Sequence, residues 1–512
     1  MIHSKLFFKK LLVNPKKLGL LLGPFSFILI ISLFPTSPSS SSPDGLSENG
    51  KYVLAISVWM IIWWITEAIH VYATALLPLG LMPVMGVLPL ENIAAQYMHN
   101  IIVLLLGMFL IAIAIERSGF HRKIAYEMIG VFGYSPKRIL LGFMISTALL
   151  STVIMSTTVV LIMLPIAFVI LNDLNKNNLK VSTRFRTILL LAIAYSSSIG
   201  SISTLIGAPP NLLYAGTIKE LFNHTVTFAE WSSLAMPLSI IMLVITYFYM
   251  SRLIGDSEIS DSKKIIKEEK EVQSSNKTKN LFFEKEFRKI ITIEKQKIGK
   301  ITHQQIIVVG VLILVLLLMF TSPMWLPSDT LITNSVIAIL GGISLFAIPM
   351  RKSKSLLDWA EVERLPFGLL FLLGGGLALS LAFVESGLAN WIANSLSFLN
   401  IFPFEIIVIL IIGLIMFMSN VKSNTSTAAI FIPIVANMAI LNNWSPLPIL
   451  FGITVATSFA FLLPMGTPPN ALIYEKGKIS IKDMFVNGIV LNFIAIALIS
   501  IFTIFISSLL LS

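Results

Sequence analysis

Three features of the sequence predict an all-α integral membrane protein, with about 11 transmembrane helices and two re-entrant hairpins in two inverted-topology repeats. Of its 512 residues, 56% are hydrophobic and 12% charged, and mean hydropathy is +0.87. That is too little charged surface for a soluble protein of this length. Apolar runs long enough to cross a bilayer recur along the whole chain. Short polar motifs within these runs occur twice, in the same order, in the two halves.

Residues 1–50 read as a first span with an outside loop. Lys5, Lys9, Lys10, Lys16 and Lys17 precede the apolar run Leu18 to Phe34, a pattern shared with signal peptides. The run is long and no small-residue cleavage site follows, so an uncleaved span is expected. The first repeat, 51–253, has spans near 52–69, 71–88, 101–115, 188–214 and 231–253. The second, 306–512, has them near 306–320, 331–348, 369–381, 446–473 and 489–511. The stretches 139–170 and 406–441 are too long for one crossing, and each has a polar break halfway. A hairpin that enters and leaves on one side explains both facts. Between the repeats, 254–305 is rich in Lys and Glu, including the run Lys263 to Glu271. It reads as a solvated cytoplasmic linker or an amphipathic interfacial helix rather than a regulatory arm.

Lys and Arg number 37 against 26 Asp and Glu, for a net charge of +11. They gather in connecting segments, which marks membrane topology and not nucleic-acid binding. With the N-terminus cytoplasmic, the inside segments include 116–138 (Arg117, Arg122, Lys123, Lys137, Arg138) and 171–187 (Lys176, Lys180, Arg184, Arg186). Segments 254–305, 349–364 (Arg351, Lys352, Lys354) and 474–488 (Lys476, Lys478, Lys482) fall inside as well. The outside segments 35–50, 89–100, 321–330 and 382–405 contain neither residue. This asymmetry places the C-terminus outside, and the lysine-rich composition without targeting features is compatible with a bacterial inner membrane. The chain has no cysteine, which removes disulfides and thiolate metal sites.

The chemistry concentrates at the repeated motifs. Leu104 to Leu110, ending in Glu116-Arg117-Ser118-Gly119, parallels Leu372 to Gly376, ending in Glu385-Ser386-Gly387. Ser156-Thr157-Thr158 followed by Pro165 parallels Ser423-Asn424-Thr425 followed by Pro433. Gly207-Ala208-Pro209-Pro210-Asn211 parallels Gly466-Thr467-Pro468-Pro469-Asn470. Pro-Pro removes two backbone donors and breaks the helices over 188–214 and 446–473. Such breaks leave half-helix ends at mid-membrane, with N-termini for anions and carbonyls for cations. Hydroxyls and amides at the hairpin tips can serve either partner. Two breaks and two tips thus outline one site for a doubly charged anion.

These residues, with Trp63-Trp64-Ile65-Thr66-Glu67-Ala68-Ile69, give the chain a specific resemblance. It resembles the divalent anion/sodium symporter family of dicarboxylate, citrate and sulfate carriers, over most of its length. The resemblance implies a homodimer in which hairpins and broken helices move as an elevator against a static scaffold. It also implies one sodium site at Thr152, Ser156, Thr157 and Gly207, and a second at Ser419, Lys422, Asn424 and Gly466. Substrate carboxylates would meet Thr157, Thr158, Ala208, Pro209, Ser423, Asn424, Thr425, Thr467 and Pro468. Three positions depart from the family pattern: Thr157 replaces Asn, Ala208 replaces Ser or Thr, and Lys422 replaces a small residue.

A mid-membrane lysine is costly and persists when paired or functional. In the sodium position, the Lys422 ammonium would present a fixed charge to the dianion and hinder return of the empty carrier. Exchange of C4- or C5-dicarboxylates (succinate, malate, 2-oxoglutarate) is therefore the leading expectation, with Na+-coupled dicarboxylate, sulfate or citrate symport at the same site as the alternative. In other readings, Lys422 snorkels away or pairs with an acid. An enzyme is disfavoured because no His/Asp/Glu cluster sits at span centres, so no cofactor is expected beyond Na+ as a coupling ion. An ion channel fits paired broken helices less well than a gated carrier. Glu67 beside His70, and Arg117 near His121 and Arg122, read as helix-end groups, and the Trp and Tyr residues as an interfacial belt.

Overall fold

Helix dominates because long apolar runs satisfy their backbone groups internally, the requirement lipid imposes. The computed structural model describes residues 15–36, 46–176, 182–254, 276–325, 332–349, 355–395, 401–442 and 444–511. Lys5, Lys9, Lys10, Lys180, Arg351, Lys352, Lys354 and the run Lys263 to Glu271 lie outside the described residues.

The first half contains α1 (Pro15–Leu33), α2 (Glu48–Thr66), α3 (Val71–Thr74), α4 (Leu77–Val84), α5 (Leu90–Gln96), α6 (Asn100–Ser118) and α7 (Phe120–Phe132). Next come α8 (Pro136–Ser151), α9 (Ser156–Lys176), α10 (Thr183–Ser201), α11 (Pro209–Phe222) and α12 (Phe228–Leu253). α13 (Asn276–Ile298) lies between the halves. The second half contains α14 (His303–Trp325), α15 (Asn334–Ala347), α16 (Phe367–Glu385), α17 (Leu388–Ser395), α18 (Phe404–Val421) and α19 (Asn424–Leu441). It ends with α20 (Pro446–Ser458), α21 (Pro468–Gly477) and α22 (Ile481–Leu511).

Among the described residues, eight helices are long and apolar enough to cross a bilayer unaided. The chain is an all-helical integral membrane protein. Some expected spans are assembled from shorter pieces. The run 71–88 divides into α3 and α4, where Pro78 and Pro83 remove backbone donors. The run 331–348 holds only the 14-residue α15, which starts at the Thr333 cap. The stretches 139–170 and 406–441 are the pairs α8/α9 and α18/α19, and the expected broken helices are α10/α11 and α20/α21.

α13 occupies the latter part of the expected linker. Phe287, Ile290 and Ile291 are buried, and the helix packs on α7 and α9. Its polar side holds Lys295 Nζ at 2.8 Å from Glu127. This segment is a docked amphipathic helix.

The broken helices of the two halves cross each other: α10 packs on α21, and α11 on α20 and α19. α16 lies against α11 at Gly376 and Gly216, and against the ends of α3 and α5 at Gly375 and Gly374. A Cβ on Gly374 would fall 2.6 Å from the Tyr97 ring, one on Gly375 2.4 Å from the Ala75 carbonyl, and one on Gly376 3.0 Å from Leu213. Opposite them, a Cβ on Gly216 would fall 2.5 Å from Leu377. Side chains at these positions would separate the helices.

Candidate functional site

Each hairpin turns at its polar tip. The chain leaves α8 at Thr152 and re-enters helix at Ser156, and it leaves α18 at Lys422 and re-enters at Asn424. The two breaks, 202–208 and 459–467, have the same internal architecture. Asn211 Nδ2 donates to the carbonyls of Ser201 (3.1 Å) and Thr204 (2.7 Å), ten and seven residues upstream. Asn470 Nδ2 donates to Ala460 (2.8 Å) and Leu463 (3.2 Å), again ten and seven residues upstream. Pro-Pro supplies the interruption, and the following Asn pairs carbonyls that the interruption strands.

The caps differ between halves. Thr467 Oγ1 accepts from Asn470 N at 3.3 Å, whereas Ala208 has no side-chain cap and its own carbonyl takes the Asn211 amide at 3.2 Å. Ser or Thr at this position closes one orphan donor that Ala cannot.

Behind each tip, backbone oxygens and hydroxyls cluster around the motif glycine. A Cβ on Gly207 would lie 2.2 Å from Ser201 O and 2.9 Å from Ser151 O. Thr204 Oγ1 donates to Thr152 O (2.5 Å), Ser151 Oγ to Ser197 O (2.7 Å) and Ser197 Oγ to Ser156 O (2.8 Å). In the second half, a Cβ on Gly466 would lie 3.1 Å from Ser419 O. There, Ser419 Oγ donates to Thr457 O (2.5 Å) and Asn424 N to Gly466 O (3.2 Å). These are neutral oxygen sets, the donors that hard cations prefer.

The tips and breaks meet at one cavity of about 410 Å³. Ser156, Thr157, Thr158, Gly207, Pro209, Ser423, Asn424, Thr425 and Pro468 line it. Ala208 and Thr467 are buried behind it, and Thr152, Ser419 and Gly466 belong to the clusters beneath the tips. α9, α11, α19 and α21 all begin at the cavity, so four helix N-termini converge there. Each carries a partial positive charge, so the site attracts anions without needing a cationic side chain at its centre. Tyr72, Phe109, Glu116 and Arg364 complete the walls.

Lys422 does not line the cavity; its ammonium donates to the carbonyl of Ile65 at the end of α2. Sequence reasoning considered a cation substitute, snorkelling and an acidic partner, but not a helix-end carbonyl.

Other positioning residues were also missed. Asn420 Oδ1 accepts from Leu462 N at 2.8 Å, tying the second hairpin to the second break. Tyr195 donates from its hydroxyl to Phe461 O (2.8 Å), and Trp231 Nε1 to Ile202 O (2.8 Å). Both rings are fully buried, so the interfacial-belt reading is corrected for them. An aromatic within an apolar run gives no sign of this role; the duplicated Asn211 and Asn470 did offer one.

Over residues 16–512 the sequence matches the profile of the sodium:sulfate symporter transmembrane region. The chain belongs to this divalent anion/sodium symporter family. One relative, the sodium-dependent dicarboxylate transporter SdcS of Staphylococcus saprophyticus, is 36% identical over 492 residues, 94% of this chain and 89% of the relative. Two solved structures share the fold at low identity. YdaH of Alcanivorax borkumensis has a TM-score of 0.52 at 12% identity, covering 96% of this chain and 98% of that one. MtrF of Neisseria gonorrhoeae gives 0.53 at 14%, covering 95% and 94%. As a divalent anion/sodium symporter family member, the chain is a secondary transporter and not an enzyme.

Proposed function

We propose that this chain is a sodium-coupled symporter of a small dicarboxylate of the succinate, malate or 2-oxoglutarate class. The observation that carries the reading is the meeting of four helix N-termini and two hydroxyl-bearing tips at one cavity, with an oxygen cluster beneath each tip. The sodium-dependent dicarboxylate transporters among its relatives support sodium coupling over the exchange that Lys422 suggested. With its ammonium engaged by Ile65 O, Lys422 also gives less reason to think of a fixed charge standing in for a sodium ion.

In this reading the substrate carboxylates meet Thr157, Thr158, Ser423, Asn424, Thr425 and the half-helix ends that open at Ala208-Pro209 and Thr467-Pro468. Sodium ions sit at Thr152, Ser156, Thr157 and Gly207, and at Ser419, Asn424, Gly466 and the carbonyl of Lys422. Their charge offsets the dianion, which lowers the penalty of carrying it through a low-dielectric barrier. The identical bonding of Asn211 and Asn470 supports two inverted repeats. The hairpins and broken helices then travel as an elevator against the remaining spans of a homodimer, with the N-terminus cytoplasmic and the C-terminus outside.

Uptake of labelled succinate into proteoliposomes tests the reading. An inward sodium gradient should drive accumulation into vesicles that contain no dicarboxylate. Uptake that needs internal dicarboxylate and ignores sodium would overturn it in favour of exchange.

A further inference from the structure

We propose that Lys422 is a positioning residue that clamps the second hairpin tip onto the end of α2, favouring the orientation in which the cavity stands open. The inference rests on the moving-domain reading above. A helix leaves its last four carbonyls without intrahelical donors, and they carry its partial negative charge. At the end of α2, Trp63 O is closed by the amides of Glu67 and Ala68, and Ile62 O by the Thr66 hydroxyl at 2.7 Å. Ile65 O takes the Lys422 ammonium, 357 residues away in sequence. Nearby Glu67 faces Lys16 at 3.8 Å.

The bond joins an element of the travelling group to one of the static group. Lys422 directly precedes Ser423, Asn424 and Thr425, which line the cavity, so holding the lysine also fixes where those three face. Movement of the hairpin past α2 breaks the bond and returns a desolvated cation and a helix-end carbonyl to other partners. The clamp therefore belongs to one orientation and biases the equilibrium towards it. An apolar side chain cannot do this, whereas Arg keeps the charge and the donors.

The chain has no cysteine, so Ala112→Cys on the cavity wall provides a single thiol in an otherwise unreactive protein. Its labelling rate by a polar thiol reagent, in detergent-solubilised protein, reports how often the cavity is open. Lys422→Met should reduce the open-to-closed ratio about five- to thirtyfold, seen as slower labelling, and Lys422→Arg should restore most of it. Lys422→Leu provides a second neutral variant without a donor should the methionine protein fail to fold. Equal rates in the parent and a folded neutral variant would overturn the clamp. If labelling of the parent does not respond to sodium and succinate together, the moving-domain reading fails instead. A response in the parent that is unaltered by the lysine substitutions counts against the clamp alone.

Discussion

Gly207→Ala offers the sharpest test of the first oxygen cluster. The added Cβ would lie 2.2 Å from Ser201 O, where ordinary contact begins near 3.4 Å, so that carbonyl must retreat by about 1.2 Å. The neighbouring Ser151 O, at 2.9 Å, must also give way. Retreat of Ser201 O breaks its 3.1 Å bond to Asn211 and leaves a buried polar group unpaired, at a cost of about 1–3 kcal/mol. If that strain is relieved when sodium is absent, sodium affinity falls by about 5- to 150-fold. The equivalent Gly466→Ala is milder, because its Cβ meets the Ala460 methyl at 2.9 Å and Ser419 O at 3.1 Å. Its effect should stay below about fivefold. The assay is the sodium concentration giving half-maximal succinate uptake in proteoliposomes, measured for both variants at equal protein density. Parental sodium dependence in Gly207→Ala, or a larger effect from Gly466→Ala, would refute the assignment of these carbonyls to the cation site.

Two further outcomes follow from the same geometry. Asn470→Ala removes two bonds and strands the buried Ala460 carbonyl, while Leu463 O keeps the Gly466 amide, so it should cost about 1–3 kcal/mol and lower the thermal midpoint of the purified protein by several degrees. A midpoint equal to the parent's would show that the break holds itself together without the amide. His121, on α7 outside the spanning helices, has its pKa lowered by burial from 6.5 to about 4. The unfolded chain therefore takes up this proton first. Its contribution is complete above pH 6.5 and is lost as pH falls towards about 4, by up to roughly 3 kcal/mol. His121→Phe should flatten that part of the stability-against-pH curve, and an unchanged acid limb would assign it to other groups.

Much of this architecture is readable in the sequence because lipid leaves the backbone few options. A polar interruption inside an apolar run has to be buried or line a cavity, and duplication of Ser156-Thr157-Thr158 and Gly207 to Asn211 in the second half indicates which interruptions belong together. Span lengths were less legible. Pro78 opens α4 and Pro83 lies in its last turn, within a run that still reads as continuously apolar, so in the sequence 71–88 reads as one crossing. The supports of the breaks were hardest to see. Tyr195 and Trp231 act through single polar atoms on apolar rings, and composition shows the ring but not the bond. Lys422 stands out in the sequence for its cost in lipid. Its partner is a main-chain oxygen, which every residue possesses and which no residue type reveals.

The bare stretch Gly374-Gly375-Gly376 on α16 has a mechanical consequence. Interlocked side chains act as gear teeth, and sliding past them means lifting each knob from its hole at the expense of dispersion contact. Gly374, Gly375 and Gly376 instead turn to three different neighbours, the Tyr97 ring, the Ala75 carbonyl and Leu213 of α11, and meet each with bare backbone. Close approach on three sides thus comes without interlock, and a single methyl on any of the three would act as a wedge.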